Sequence, residues 1–116
     1  MSSKIKRGQE GEEQAARYLE SQGYQVVARN YRYKRAEIDL IVRQDNWLVF
    51  VEVKTRSSTA FGHPEEFVDA KKRVNILQAA AHYLEETSWQ GHVRYDVVAV
   101  LLTPTLAIEH LPDAFY

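Results

Sequence analysis

Cysteine is absent from this 116-residue chain, and that absence excludes disulfides, thiolate catalysis and cysteine-based zinc sites together. No apolar run reaches the ~18 residues of a membrane span. The basic N-terminus, Met1 to Gln9, leads into neither an apolar stretch nor a small-residue cleavage site, so no secretory signal is expected and the protein should be cytoplasmic, with no membrane partner. His63, His82, His92 and His110 lack H-x-x-x-H spacing, which argues against zinc. Gly8-x-x-Gly11 lacks the G-K-[ST] portion of a P-loop, and Ser57 and Ser58 have no convincing base for Ser-His hydrolysis. A net charge of -1 speaks against coating nucleic acid by bulk electrostatics.

What remains suits one globular domain over residues 1–116, with 45% apolar, 27% charged and 11% aromatic residues placing it outside disordered or low-complexity chains. Residues 1–7 read as a flexible basic arm. Charge is unevenly placed: residues 1–73 hold 14 Lys/Arg against 11 Asp/Glu, whereas residues 74–116 hold one against five. The clusters Lys4-Lys6-Arg7, Arg29-Arg32-Lys34-Arg35, Lys54-Arg56 and Lys71-Lys72-Arg73 either gather on one surface to attract a polyanion or are scattered solubilising charge.

Glu12, Ala15, Ala16 and Leu19 share one stripe of a helix predicted over Gly8 to Gln22 and stopped by Gly23. Strands follow at Tyr24–Arg32, 36–43 and 47–55. A polar connection, Ser57 to Glu66, leads to a second helix from the N-cap Asp69 to Glu86, with Ile76, Leu77, Ala80 and Leu84 as its buried stripe. Val93–Leu102 reads as a strand covered on both faces, and Leu106–Leu111 as a shorter last strand. The order α-β-β-β-α-β-β predicts an α/β fold: a mixed sheet flanked by helices, with the second helix crossing over into a parallel strand.

Two of these strands face each other across Asp45-Asn46. With those residues as a two-residue hairpin loop, cross-strand partners sum to 91, so Asp39 lies opposite Glu52 and Glu37 opposite Lys54. Directly opposed Cβ atoms stand ~4.5–5.5 Å apart, and two carboxylates that close repel unless a cation sits between them. Phe50, Glu52 and Lys54 share one face of their strand and Val49, Val51 and Val53 the other. In the partner strand Ile38, Leu40 and Val42 share one face, with Glu37 and Asp39 beside Ile41 on the other. Buried charge of this kind is tolerated when paired or bound to metal.

Phosphodiester hydrolysis needs a hard cation held by oxygen, hydroxide near neutral pH, and positive charge beside the phosphorus. Asp39 and Glu52, with the Val53 carbonyl, would hold Mg²⁺ or Mn²⁺; Lys54 would orient water or stabilise phosphoryl charge. Glu12 either binds the cation through water, positions a second ion, or reaches solvent from the edge of its stripe. Glu37 would pair with Lys54, either fixing the ammonium or making a plain ion pair. Asp96 either bonds into the site or caps a strand end. Arg56 offers a bidentate fork for phosphate, with a solvated role as its alternative.

Asp39 followed by Glu52-Val53-Lys54 resembles the PD-(D/E)xK signature of the restriction-endonuclease-like superfamily. Gly8-x-x-Gly11-Glu12, Ala15-Ala16-x-Tyr18-Leu19, Arg29-Asn30-Tyr31-Arg32, Glu37-Ile38-Asp39-Leu40-Ile41, Phe50 to Arg56, Ala79-Ala80 and Arg94-Tyr95-Asp96-Val97-Val98 resemble, over nearly the whole chain, the YraN-like family of uncharacterised bacterial proteins. That family is similar to the archaeal Holliday-junction resolvases. The resemblance implies a restriction-endonuclease-like fold and a Mg²⁺-dependent endonuclease acting on DNA, with Glu12, Asp39, Glu52 and Lys54 at the active positions and Lys72 or Lys71 at a phosphate-contacting one. It also implies branched or structured DNA as substrate and a two-fold dimer, for which the apolar tail Leu111 to Tyr116 would serve unless it packs on its own domain. Ala36 stands where the family usually has Gly, and Ile38 where the superfamily signature has Pro; neither removes a ligand. Two other classes compete: a nucleic-acid-binding protein without catalysis, and an interaction or scaffold domain whose acids are solvated.

Overall fold

The computed structural model describes residues 3–56 and 69–115. The connection Ser57 to Glu66, with Ser57, Ser58 and His63, lies outside the described residues, as does Tyr116. Helix α1 spans Ser3–Ser21, so residues 3–7 extend the helix where the sequence suggests an arm. Nothing in Lys4 to Arg7 breaks a helix: there is no proline or glycine, and Lys and Arg are good helix formers. α1 ends in a Schellman turn, in which the Tyr24 N–H donates to the Leu19 carbonyl and the Gly23 N–H to that of Glu20, both at 3.0 Å. Gly23 takes φ +96°, which explains a glycine there.

Five strands follow in one sheet: β1 (Gln25–Tyr33), β2 (Ala36–Gln44), β3 (Trp47–Arg56), β4 (His92–Leu101) and β5 (Ala107–Leu111), arranged in sequence order. Helix α2 (Ala70–Thr87) joins β3 to β4, the one parallel pair; the other three pairs are antiparallel. Its N-cap is Asp69, whose carboxylate accepts the Lys72 N–H at 2.8 Å. Among the described residues, no helix is long and apolar enough to cross a membrane.

The helices cover opposite faces. Ala15, Ala16 and Leu19 of α1 pack on Leu40, Val42, Val49, Val51, Val53, Val98 and Val100. Ile76, Ala79 and Ala80 of α2 pack on Ile38, Ile41, Leu48, Phe50 and Val97. Phe115 joins this second core at 4% exposure, so the tail packs on its own domain, and the Ala114 N–H donates to the Tyr95 carbonyl at 2.8 Å.

β2 departs from simple alternation at one point. Ile38 lies with Ile41 on the α2 side, not with Leu40 and Val42 on the α1 side. Across the ladder the same break falls at Asn30, which adopts φ +50° and leaves Ala28 and Tyr31, three residues apart, both on the α2 side. A left-handed residue turns the chain out of the pleat and resets the two-residue period. Asp39 sits at this break.

Candidate metal centre

The β2–β3 register is the predicted one: Gln44 pairs with Trp47, Arg43 with Leu48, and so on to Leu40 with Val51. There the ladder stops, although β3 continues beside β4 as far as Arg56 opposite Leu101. Asp39, next in line, reaches across the gap in place of a backbone partner, its Oδ2 accepting the Val53 N–H at 2.7 Å. The opening is a cleft of about 500 Å³ at the end of β3, lined from both sides of the sheet by Glu12, Asp39, Glu52, Val53, Lys54, Arg56 and Lys72, with Arg7, Gly8 and Thr55. A second recess on the α2 side shares Asp39, Glu52 and Lys72 and adds Glu37 and Asn75.

Glu52 projects from β3 at 5% exposure between two ammonium groups. Lys72 Nζ is 2.6 Å from its Oε1 and Lys54 Nζ 3.8 Å from the same oxygen. Glu52 Oε2 is buried and has no hydrogen-bond partner among the described residues. Asp39, 9% exposed, titrates at about 8: burial is the main cause, the Glu52 charge adds to it, and the Val53 N–H opposes both. Burial and the neighbouring Lys72 lower Lys54 from its ordinary range. For Lys72, burial acts in the same direction, but the hydrogen bond and charge of Glu52 outweigh it and the pKa rises.

The other expected residues divide. Glu12 lines the cleft but is tied on the α1 side, its Oε1 accepting from Asn30 Nδ2 at 3.0 Å. Among the described residues, no three His or acidic side chains converge closely enough to cage a metal. Arg56 lines the cleft, and its guanidinium donates to the Thr55 carbonyl at 3.1 Å. Lys72 faces Glu52 while Lys71, one residue earlier on the helix, is exposed and outside the cleft. Glu37 pairs with Arg32 at 2.9 Å and not with Lys54. The reason is register: the β1–β2 ladder places Arg32 opposite Glu37, while the β2–β3 ladder has ended.

Asp96 does not bond into the site. Fully buried, it accepts from Arg94 Nε and Nη2 at 2.9 and 2.8 Å and from the Asp113 N–H at 2.9 Å, and lies 2.6 Å from His110 Nε2. Arg94 also donates to the Tyr24 hydroxyl at 2.8 Å. Burial opposes the Asp96 charge, but His110, Arg94 and the Asp113 N–H together hold its pKa below the ordinary range. The pairing of Arg94 with Asp96 was not anticipated, although two opposite charges two apart on one strand share a face and could have signalled it; His110 and Tyr24 carry no such signal.

Gly11 sets how closely α1 approaches β3. A methyl group built there would overlap the Thr55 side chain. The contact places Glu12, the next residue, at the cleft wall.

The donors suit a hard divalent cation: two carboxylates, oxygen ligands, and one buried carboxylate oxygen without a partner among the described residues. Residues 11–100 match the family described as "Uncharacterised protein family UPF0102". Relatives include a "UPF0102 protein" of Christiangramia forsetii, 41% identical over 94% of this chain and 92% of its own length. One from Solibacter usitatus is 51% identical over 93% and 84%. A third, from Rhodococcus opacus, is 43% identical over 99% and 100%. The chain belongs to the uncharacterised protein family UPF0102.

Proposed function

We propose that this protein is a metal-dependent endonuclease of restriction-endonuclease-like fold that hydrolyses phosphodiester bonds in DNA, with branched or structured DNA as its substrate. The observation that carries the reading is Glu52: a buried carboxylate with one oxygen unpartnered among the described residues, beside Asp39 and flanked by two lysines in an open cleft. Asp39 and Glu52, with the Val53 carbonyl, would hold Mg²⁺ or Mn²⁺. When bound, the cation supplies Lewis acidity, bringing hydroxide within reach of neutral pH and neutralising charge on the scissile phosphate.

The chain's own residues do the rest. Among the described residues, Arg7, Lys54, Arg56 and Lys72 line the cleft beside Glu12, Asp39 and Glu52, a cationic set that would draw in a phosphodiester. Lys54, anchored on β3 beside Glu52, orients the attacking water or stabilises phosphoryl charge as it develops. Glu12, held by Asn30 on the opposite wall, is placed to hydrogen-bond a water in the cleft rather than to ligate directly.

One observation favours a second reading, nucleic-acid binding without catalysis: the described residues bring only two carboxylates together, and one already carries a lysine. Incubating labelled linear, flap and four-way-junction DNA with the protein in Mg²⁺ or Mn²⁺ separates the two. Wild-type cleavage that falls by about 10²-fold or more in Glu52→Gln supports the nuclease. DNA binding without cleavage supports the second reading, and cleavage unchanged in Glu52→Gln overturns the first.

A further inference from the structure

We infer that the Lys72 ammonium is a displaceable counter-ion: it holds Glu52 Oε1 while the site is free of metal and leaves when a divalent cation arrives. The inference rests on the metal-site reading above. Glu52 is a buried carboxylate beside the buried Asp39, and a buried charge is costly unless an opposite charge stands close to it. Lys72 at 2.6 Å is the closer of the two ammonium groups on Glu52, and Lys54 stands back at 3.8 Å. A divalent cation balances both carboxylates alone, so the same lysine then becomes a repelled neighbour.

The two lysines differ in their freedom to move. Lys54 grows from a strand paired with β4 along its whole length, and its side chain is 14% exposed. Lys72 lies in the first turn of α2, where the Asp69 cap fixes its backbone N–H, and its side chain is 38% exposed. Its backbone is thus pinned while its four-carbon stem remains half in solvent, so release needs only a rotamer change. Both recesses of the cleft include Lys72, and one of them also holds Lys54 and Arg56; the freed ammonium stays within a basic cleft.

Competition of this kind has a signature that a permanent salt bridge lacks. Mn²⁺ affinity is measured by calorimetry for wild type, Lys72→Met and Lys71→Met, the last removing one charge from the same helix outside the cleft. Each is also unfolded in urea, in EDTA and in saturating Mn²⁺. Lys72→Met should bind Mn²⁺ about tenfold or more tightly than wild type, against less than about twofold for Lys71→Met. Its unfolding midpoint should fall in EDTA and match wild type in Mn²⁺. Unchanged or weaker Mn²⁺ binding in Lys72→Met, or an equal midpoint loss in both conditions, overturns the inference while leaving the metal site standing. If neither wild type nor Lys72→Met binds Mn²⁺, the metal-site reading fails and takes this inference with it.

Discussion

Asp39→Asn should make the metal-free protein more stable at neutral pH, not less. The Asp39 carboxyl titrates at about 8 in the folded protein, chiefly through burial and then through the Glu52 charge, whereas in an unfolded chain it titrates near ~3.9. Between those values the folded protein keeps a proton that the unfolded chain has released. The Asp39 contribution to stability is therefore greatest below about pH 4 and falls as pH rises, levelling off above about pH 8. Four pH units correspond to roughly 5 kcal/mol. That is a ceiling, because water entering the open cleft relieves part of the burial. An asparagine keeps an oxygen to accept the Val53 N–H and discards the charge. Urea unfolding in EDTA, followed by tryptophan fluorescence from pH 5 to 9, should show wild type losing about 2–5 kcal/mol relative to Asp39→Asn. The window lies above the range in which Asp96, with its lowered pKa, loses its own contribution, and the difference between the two proteins cancels other titrations. Saturating Mn²⁺ should narrow the gap, adding ~2.7 kcal/mol to wild type at 100 times Kd and nothing to the variant. Parallel pH profiles, or a variant less stable at pH 8 in EDTA, would refute the reasoning.

Arg94→Ala strands a fully buried carboxylate and should cost about 3–5 kcal/mol in urea unfolding, while Mn²⁺ affinity measured by calorimetry stays at the wild-type value because Asp96 bonds away from the site. Acidification acts on Asp96 with the opposite sign to Asp39: its stabilisation is present above about pH 4 and is lost as pH falls through its lowered folded pKa, so wild type should gain less than Asp96→Asn between pH 5 and 3 in the same assay. Gly11→Val forces α1 away from Thr55 and should cost about 1–3 kcal/mol, part of which Thr55→Ala in the same chain restores. Phe50→Ala should cost about 3–5 kcal/mol, since the ring is fully buried against α2 and stacked on Tyr95 at 5.5 Å.

How far the sequence reaches depends on how local the governing interaction is. The Asp45-Asn46 loop sets the β2–β3 register, so the convergence of Asp39 and Glu52 follows from counting residues. α2 was legible from its Asp69 cap and in part from its apolar spacing: Ile76 and Ala80 are buried as expected and Leu84 partly so, but Ala79 and not Leu77 completes the stripe. Where the ladder ends was not legible, and two expectations failed for that reason. Glu37 finds Arg32 instead of Lys54, and Ile38 crosses to the α2 face because the pleat resets at Asn30 and Asp39. An asparagine tolerates a left-handed φ better than most residues, so Asn30 permitted the break without announcing it. The Lys72–Glu52 pair depends on where α2 lands on the sheet, which no spacing within α2 encodes. Lys71 and Lys72 were therefore indistinguishable until a helical turn was laid against a particular strand.

The end of the β2–β3 ladder also separates what Asp39 does for the fold from what it does for the site. Past Val51, β3 has β4 on one side and no ladder partner from β2 on the other, and a buried N–H without an acceptor is costly. Asp39 Oδ2 meets that need at Val53. The fold requires only an acceptor there, and a neutral amide would serve. A carboxylate supplies the same acceptor with a charge that burial and Glu52 oppose so strongly that its pKa reaches about 8. The charge is thus the part of Asp39 for which the fold has no use, and Glu52 Oε2, unpartnered among the described residues, is a second surplus acceptor. Both surpluses are negative and open on the same cleft, which is the condition under which a divalent cation converts two unfavourable groups into ligands.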